Sequence, residues 1–132
     1  MLAATKLDNP DIMVRITGDD ILIDPQYMDK AIHYHLSNNL DYTDHKNLPS
    51  GVETEIFNRK TLDFINKNAE DNTGTEYLTY YLRNNEELFR IGSAPVEKKH
   101  QKKLRLTIDN IKDFKFVKPF LEKMDKDGKL ST

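Results

Sequence analysis

Cysteine and tryptophan are both missing from this chain. Without cysteine there is no disulfide, no thiolate nucleophile and no zinc–thiolate centre, and a cytoplasmic setting suits such a chain. Glycine and proline are sparse, at 5 residues each, and neither an internal repeat nor a low-complexity segment is present. No apolar run approaches the length of a transmembrane helix, and the first residues lack the basic-then-apolar layout of a signal peptide. The formal net charge of -2 supplies no field for nucleic acid or an anionic membrane. What is present, 132 residues with 37% hydrophobic and 32% charged, suffices for a single domain over 1–132 with its own core.

The chain is organised around the stretch from Ile12 to Pro25. The β-branched and apolar residues Ile12 to Ile16 predict a short buried strand, stopped by Thr17-Gly18. Asp19 and Asp20 follow, then Ile21 to Ile23, and Asp24-Pro25 predicts a helix start with Asp24 as N-cap and Pro25 in the first turn. Ligands of open α/β sheets collect outside the carboxyl ends of the strands. Asp19 is therefore placed to hold a divalent cation, with a plain polar turn at Gly18-Asp19-Asp20 as the lesser alternative. Upstream, Met1 to Leu7 resembles the last turns of a helix before Asp8-Asn9-Pro10 breaks the pattern.

Downstream, Met28, Ala31, Ile32 and Leu36 recur at helical spacing, with His33 and His35 expected on the solvated surface. Leu40 to Asp44 is a weak strand pattern. Val52 to Phe57 alternates apolar and acidic residues and predicts a strand with Glu53 and Glu55 on one side. Those carboxylates could grip substrate hydroxyls or simply face solvent. Asn58 is placed to cap a helix carrying Leu62 and Ile65, and a further helix follows from Thr75-Glu76 with tyrosines 77, 80 and 81 as core and rim packing. Leu88 to Gly92 predicts a strand, Glu97 to Lys103 a charged connector, and Leu104 to Ile108 the best strand after the first. A last helix, about Ile111 to Met124, sets Phe114, Val117, Phe120 and Leu121 on one side, ahead of a polar tail over 125–132.

Two of these strands share a construction, an apolar run with threonine and then a carboxylate: Arg15-Ile16-Thr17-Gly18-Asp19 and Arg105-Leu106-Thr107-Ile108-Asp109. As parallel neighbours they would bring Asp19 and Asp109 out at one edge of the sheet. Magnesium is held by one or two carboxylates plus substrate phosphates, so the pair fits a metal-bound nucleotide.

The run Arg15-Ile16-Thr17-Gly18-Asp19-Asp20-Ile21-Leu22-Ile23-Asp24-Pro25 resembles the R-[IV]-T-[GA]-D-x-P-L-[IV]-D-P signature of the cytidylyltransferase-like proteins of spore-coat polysaccharide synthesis. These are relatives of the CMP-sialic acid and CMP-3-deoxy-manno-octulosonate synthetases. Three further blocks resemble that family in the same order: Pro49-x-Gly51-x-Glu53-x-Glu55-x-Phe57, Thr75-Glu76-Tyr77-Leu78-Thr79-Tyr80, and Arg105-Leu106-Thr107-Ile108-Asp109 with Asp113-Phe114. Ile21 stands where the family usually has proline, and Tyr77 where it has histidine.

The resemblance implies a nucleotide-diphospho-sugar-transferase-like α/β fold, a Rossmann-like mixed sheet flanked by helices. It implies CMP transfer from CTP to a sugar, with Mg²⁺ and release of pyrophosphate. Asp19 and Asp109 would be the catalytic metal ligands. Arg15, Glu53, Glu55 and Arg105 would surround the sugar, and Glu76 would orient the acceptor. Family members open with a strand and a Gly/Arg-rich loop that holds the triphosphate, and no such motif occurs here. The expectation is therefore a C-terminal part, incomplete or inactive alone, that pairs with a missing N-terminal half or as a homodimer. A non-catalytic sugar-binding or interaction module and a glycosyltransferase fragment are the competing expectations.

Overall fold

The computed structural model describes residues 9–69 and 77–128. The expected helix remnant at Met1 to Leu7 and the residue Glu76 lie outside them. The chain runs β1 (Ile12–Arg15), α1 (Pro25–Ser37), β2 (Tyr42–Asp44), β3 (Glu55–Asn58), α2 (Arg59–Asn68), α3 (Tyr77–Asn84), β4 (Ile91–Ser93) and α4 (Ile111–Lys126). The four strands form one sheet in the order β1-β3-β2-β4. β3 is antiparallel to both of its neighbours, and β2 pairs parallel with β4. Hence β1, β2 and β4 all end at one edge, and β3 begins there. The result is a mixed α/β sheet flanked by helices, as expected.

Register explains which residues are buried. Met13, Phe57 and Tyr42 stand in one row across the strands, and Val14, Ile56 and Thr43 in the next. Successive side chains of a strand point to opposite faces, so the two rows belong to two cores. The first row packs with Leu62 and Ile65 of α2 and Leu78 and Leu82 of α3. The second packs with Ala31, Ile32 and Tyr34 of α1. Phe57 and Ile56 are both fully buried, which makes β3 the centre of the layered stack.

Helix α1 starts as its sequence dictates. Asp24 accepts from the backbone N–H groups of Gln26 and Tyr27, and Pro25 occupies the first turn, where its missing N–H costs nothing. Its inner stripe, however, is Tyr27, Ala31 and His35, one position off the expected set, and Leu36 is 57% exposed. His35 is a correction: it is 1% exposed, with its ring nitrogens at 2.9 Å from Thr43 Oγ1 and 3.0 Å from Asn58 Oδ1. Two polar partners on the sheet draw the imidazole inward, and His33 stays exposed. Asn58 is spent on this network, donating from Nδ2 to the Leu40 carbonyl, and makes no side-chain cap on α2.

The segment Leu104 to Ile108 is the second correction. It is not a strand of the sheet; a single parallel bridge joins Arg105 to Ser50. Ser50 donates to the Leu104 carbonyl at 3.1 Å, and Leu106 donates to the Ser50 carbonyl at 2.6 Å. Gly51, at φ 95, makes room for this approach: a Cβ there would stand 2.4 Å from the Thr107 nitrogen. Two residues on, Asn110 and Asp113 form a reciprocal capping box that starts α4. Only Val117 of that helix is buried; Phe114 and Phe120 are exposed, against expectation. Among the described residues no helix is long and apolar enough to cross a membrane.

Candidate functional site

The loops at the common edge of β1, β2 and β3 line an open-sided cavity of 510 Å³. β1 sends Arg15, and the turn after it sends Thr17 and Asp20. β2 ends in Asp44, with His45 and Lys46 immediately after. Ser50 and Glu53 come from the loop before β3, Glu55 from its first residue, and Arg83 from α3. Hydroxyls, carboxylates and cations therefore converge where strands of an α/β sheet end.

Glu55 is the hub of one wall. Arg15 Nη1 donates to its Oε2 at 2.5 Å, while Tyr42 Oη and Thr79 Oγ1 donate to Oε1 at 2.6 and 3.2 Å. Burial, and then the Glu55 charge, push the Tyr42 phenol far above its ordinary value, so it remains a hydrogen-bond donor. Arg15 and Glu55 lie directly opposite each other in the β1–β3 register, which places both at the cavity. Glu53 is not in the strand: it sits in the preceding loop and accepts from the Val52 N–H at 3.1 Å. The two glutamates nevertheless line the same cavity.

Asp19 lies in the turn that closes β1. Asp20 donates its N–H to the Thr17 carbonyl at 3.1 Å, and its carboxylate accepts from Thr17 Oγ1 at 2.7 Å. From the other side Thr107 Oγ1 donates to Asp19 Oδ2 at 2.9 Å, and the Ile108 N–H donates to the Asp19 carbonyl at 2.9 Å. The hydroxyls of Thr17 and Thr107, with Arg105 nearby, hold the Asp19 carboxyl below the usual carboxylate range. The two threonine–aspartate segments thus meet side by side, though not as parallel strands of the sheet. Asp109, at the end of the second, is ion-paired with Arg105, which also reaches Asp113 at 3.2 Å. Among the described residues no group of three or more His, Asp or Glu is gathered to hold a metal.

The sequence reading did not single out Tyr42, Asp44, His45 or Thr79. Tyr42 could have been found from its place in a strand opposite an acidic one. Nothing in the sequence marks Asp44 and His45, because their interest lies in burial.

A cytidylyltransferase family model matches residues 1–129. The chain is 40% identical over 113 residues to the uncharacterized protein MJ1063 of Methanocaldococcus jannaschii, covering 85% of this chain and 46% of that one. It is 33% identical over 117 residues to the spore coat polysaccharide biosynthesis protein SpsF of Bacillus subtilis, covering 86% of this chain and 48% of the relative. It therefore spans about half the length of the curated relatives it matches. Its fold is similar to that of a cytidylyltransferase from Leptospira borgpetersenii serovar Hardjo-bovis, with a TM-score of 0.76 and 26% identity over 96% of this chain and 61% of that one. With residue blocks, sheet and family match in agreement, the chain belongs to the cytidylyltransferase family.

Proposed function

We propose that this chain supplies the sugar-acceptor side, and a metal-binding carboxylate, for transfer of CMP from CTP to a sugar. The observation that supports it best is the 510 Å³ polar cavity at the strand ends, flanked by the turn that carries Asp19. In the reaction an acceptor hydroxyl attacks the α-phosphorus in line. The new O–P bond forms as the bond from the α-phosphorus to the oxygen it shares with the β-phosphate breaks; pyrophosphate leaves and the hydroxyl proton passes to solvent. Catalysis of this kind is mostly positioning and charge neutralisation.

The cavity's own groups supply the positioning. Glu53 and Glu55 accept from sugar hydroxyls, with Glu55 fixed in place by Arg15, Tyr42 and Thr79. Glu76, outside the described residues, completes the acceptor side in this reading. A magnesium ion would be held by the Asp19 carboxylate, which Thr107 Oγ1 orients, since octahedral Mg²⁺ needs one or two carboxylates besides phosphate and water. Asp109 would serve as the second ligand after exchanging Arg105 for the cation, and Arg105 would then be released toward the substrate. Bound there, the ion would neutralise charge on the phosphates.

Isothermal titration with Mg²⁺ and CTP, on the chain and on Asp19→Asn, tests the reading. Binding that weakens in the variant supports it; equal weak binding by both removes the metal site. The ion pair of Asp109 with Arg105 favours a second reading, a sugar-binding module without transfer. That reading predicts sugar binding with no response to Mg²⁺ and CTP.

A further inference from the structure

β1 forms one edge of the sheet, and that edge carries none of the usual protection. Arg59 donates its N–H to the Asp11 carbonyl at 2.9 Å, so the hydrogen-bonded pairs with β3 fall on the odd-numbered residues of this strand. The N–H and C=O groups of Ile12 and Val14 therefore point outward, where the described residues place no strand. Proteins keep a bare edge from pairing with proline, lysine, a bulge or an unpaired charge. Ile12-Met13-Val14-Arg15 has no proline or lysine, its register with β3 runs without a bulge, and its one charge is paired with Glu55. Such a strand is a template for another.

Large apolar side chains gather beside this edge. Ile16 and Ile21, both exposed, stand on either side of the Asp19 turn. Thr107 and Ile108 bind that turn, and three residues later Ile111, 64% exposed, opens α4. With about 100° between successive residues of a helix, Phe114 and Phe120 flank the buried Val117, and Phe116 lies beyond Phe120. All three rings are exposed, and those of Phe116 and Phe120 lie 5.8 Å apart. The helix thus buries one residue of a much wider apolar arc. Single apolar residues are ordinary on a surface, but a group this dense marks contact with another macromolecule.

An open strand edge calls for backbone, because only a second strand supplies N–H and C=O groups at the matching spacing. MJ1063 and SpsF carry about as much chain outside the match as inside it, and the solved cytidylyltransferase also continues beyond this fold. We infer that the outer edge of β1 and the exposed face of α4 together receive that further half of the family's chain. It adds a strand along Ile12–Arg15 and lays apolar side chains over Phe116 and Phe120. This contact stands whether or not the cavity transfers CMP.

The test co-expresses the tagged chain with the stretch of MJ1063 that lies outside the match, with no CTP or metal added. The expected product is an equimolar complex in sedimentation. In it the Ile12 and Val14 amides exchange more slowly than in the chain alone by about tenfold, the scale of one backbone hydrogen bond. Ile12→Pro removes an outward N–H and none of the bonds to β3. It is expected to abolish the complex while the amides of Met13 and Phe57 stay protected, which shows that the variant is folded. Phe116→Ser with Phe120→Ser, both at exposed positions, is expected to weaken the complex by about tenfold or more. No complex, or one in which the Ile12 and Val14 amides exchange as in the free chain, overturns the inference. So does a dimer of the chain alone that Ile12→Pro abolishes, because a second copy would then hold the edge. Failure of the transfer reading is seen separately, in the Mg²⁺ and CTP titration of Asp19→Asn.

Discussion

Gly51→Ala should detach one side of the site from the other, and its cost follows from the structure. At φ 95 an L side chain is strained by about 1–2 kcal/mol before any contact is counted. The added Cβ then meets backbone, with the Thr107 nitrogen at 2.4 Å and the Leu106 carbonyl carbon at 2.6 Å, and backbone cannot swing aside as a side chain can. Relief requires residues 104–107 to move away from Ser50, giving up the two backbone hydrogen bonds between them, at about 1 kcal/mol each. The sum is about 3–4 kcal/mol, which for a chain of this size lowers the melting temperature by about 10 °C or more. Thermal unfolding followed by circular dichroism measures the shift, and amide exchange at Leu106 and Ile108 shows whether the loss is local. A variant melting within about 2 °C of the parent, with both amides still protected, would refute the packing described for Gly51.

Three further outcomes are expected. Leu82→Ala, at a position 1% exposed between α3 and the sheet, should cost about 2–5 kcal/mol in urea denaturation. Tyr42 should ionise well above an ordinary phenol in a difference absorbance titration against Tyr42→Phe, and Glu55→Gln should lower its midpoint by removing the adjacent negative charge. Asp41, gripped by Arg90 Nε at 3.1 Å and Nη2 at 2.9 Å, has its carboxyl held low chiefly by that hydrogen bonding. The ionised form is favoured by folding, so this stability is full above the unfolded value of about 3.9 and is lost as pH falls through the lowered folded value. The urea midpoint of Arg90→Ala should thus trail the parent at pH 7 and converge with it in strong acid; a gap independent of pH would contradict the pairing.

Much of the architecture was legible because it rests on local signals. Asp24-Pro25 announces a helix start through hydrogen bonds that span two to three residues, and that cap formed. The face of α1 was misread because periodicity gives the spacing of a stripe but not its rotation. The sheet beneath offers Thr43 and Asn58, and those partners turned His35 inward in place of Leu36. Leu104 to Ile108 has strand composition, yet its partner is a loop residue some 50 positions away, made reachable by the positive φ of Gly51. No short-range pattern encodes such a meeting. Within the cavity, the acidic residues were visible as charges, whereas Asp44 and His45 became notable only once their burial was known.

The strip from Leu104 to Ile108 also has a mechanical meaning. It is stitched to the loop at Ser50 and to the turn at Asp19, and it leads within a few residues into α4. A ligand that grips Asp19 while Thr107 and Ile108 still hold it tightens the anchorage of the last helix. By reciprocity, loosening that helix must weaken the ligand by the same factor. Occupancy could then be read at a distance, as slower proteolysis after Lys102 and Lys103, the exposed basic residues just ahead of the strip.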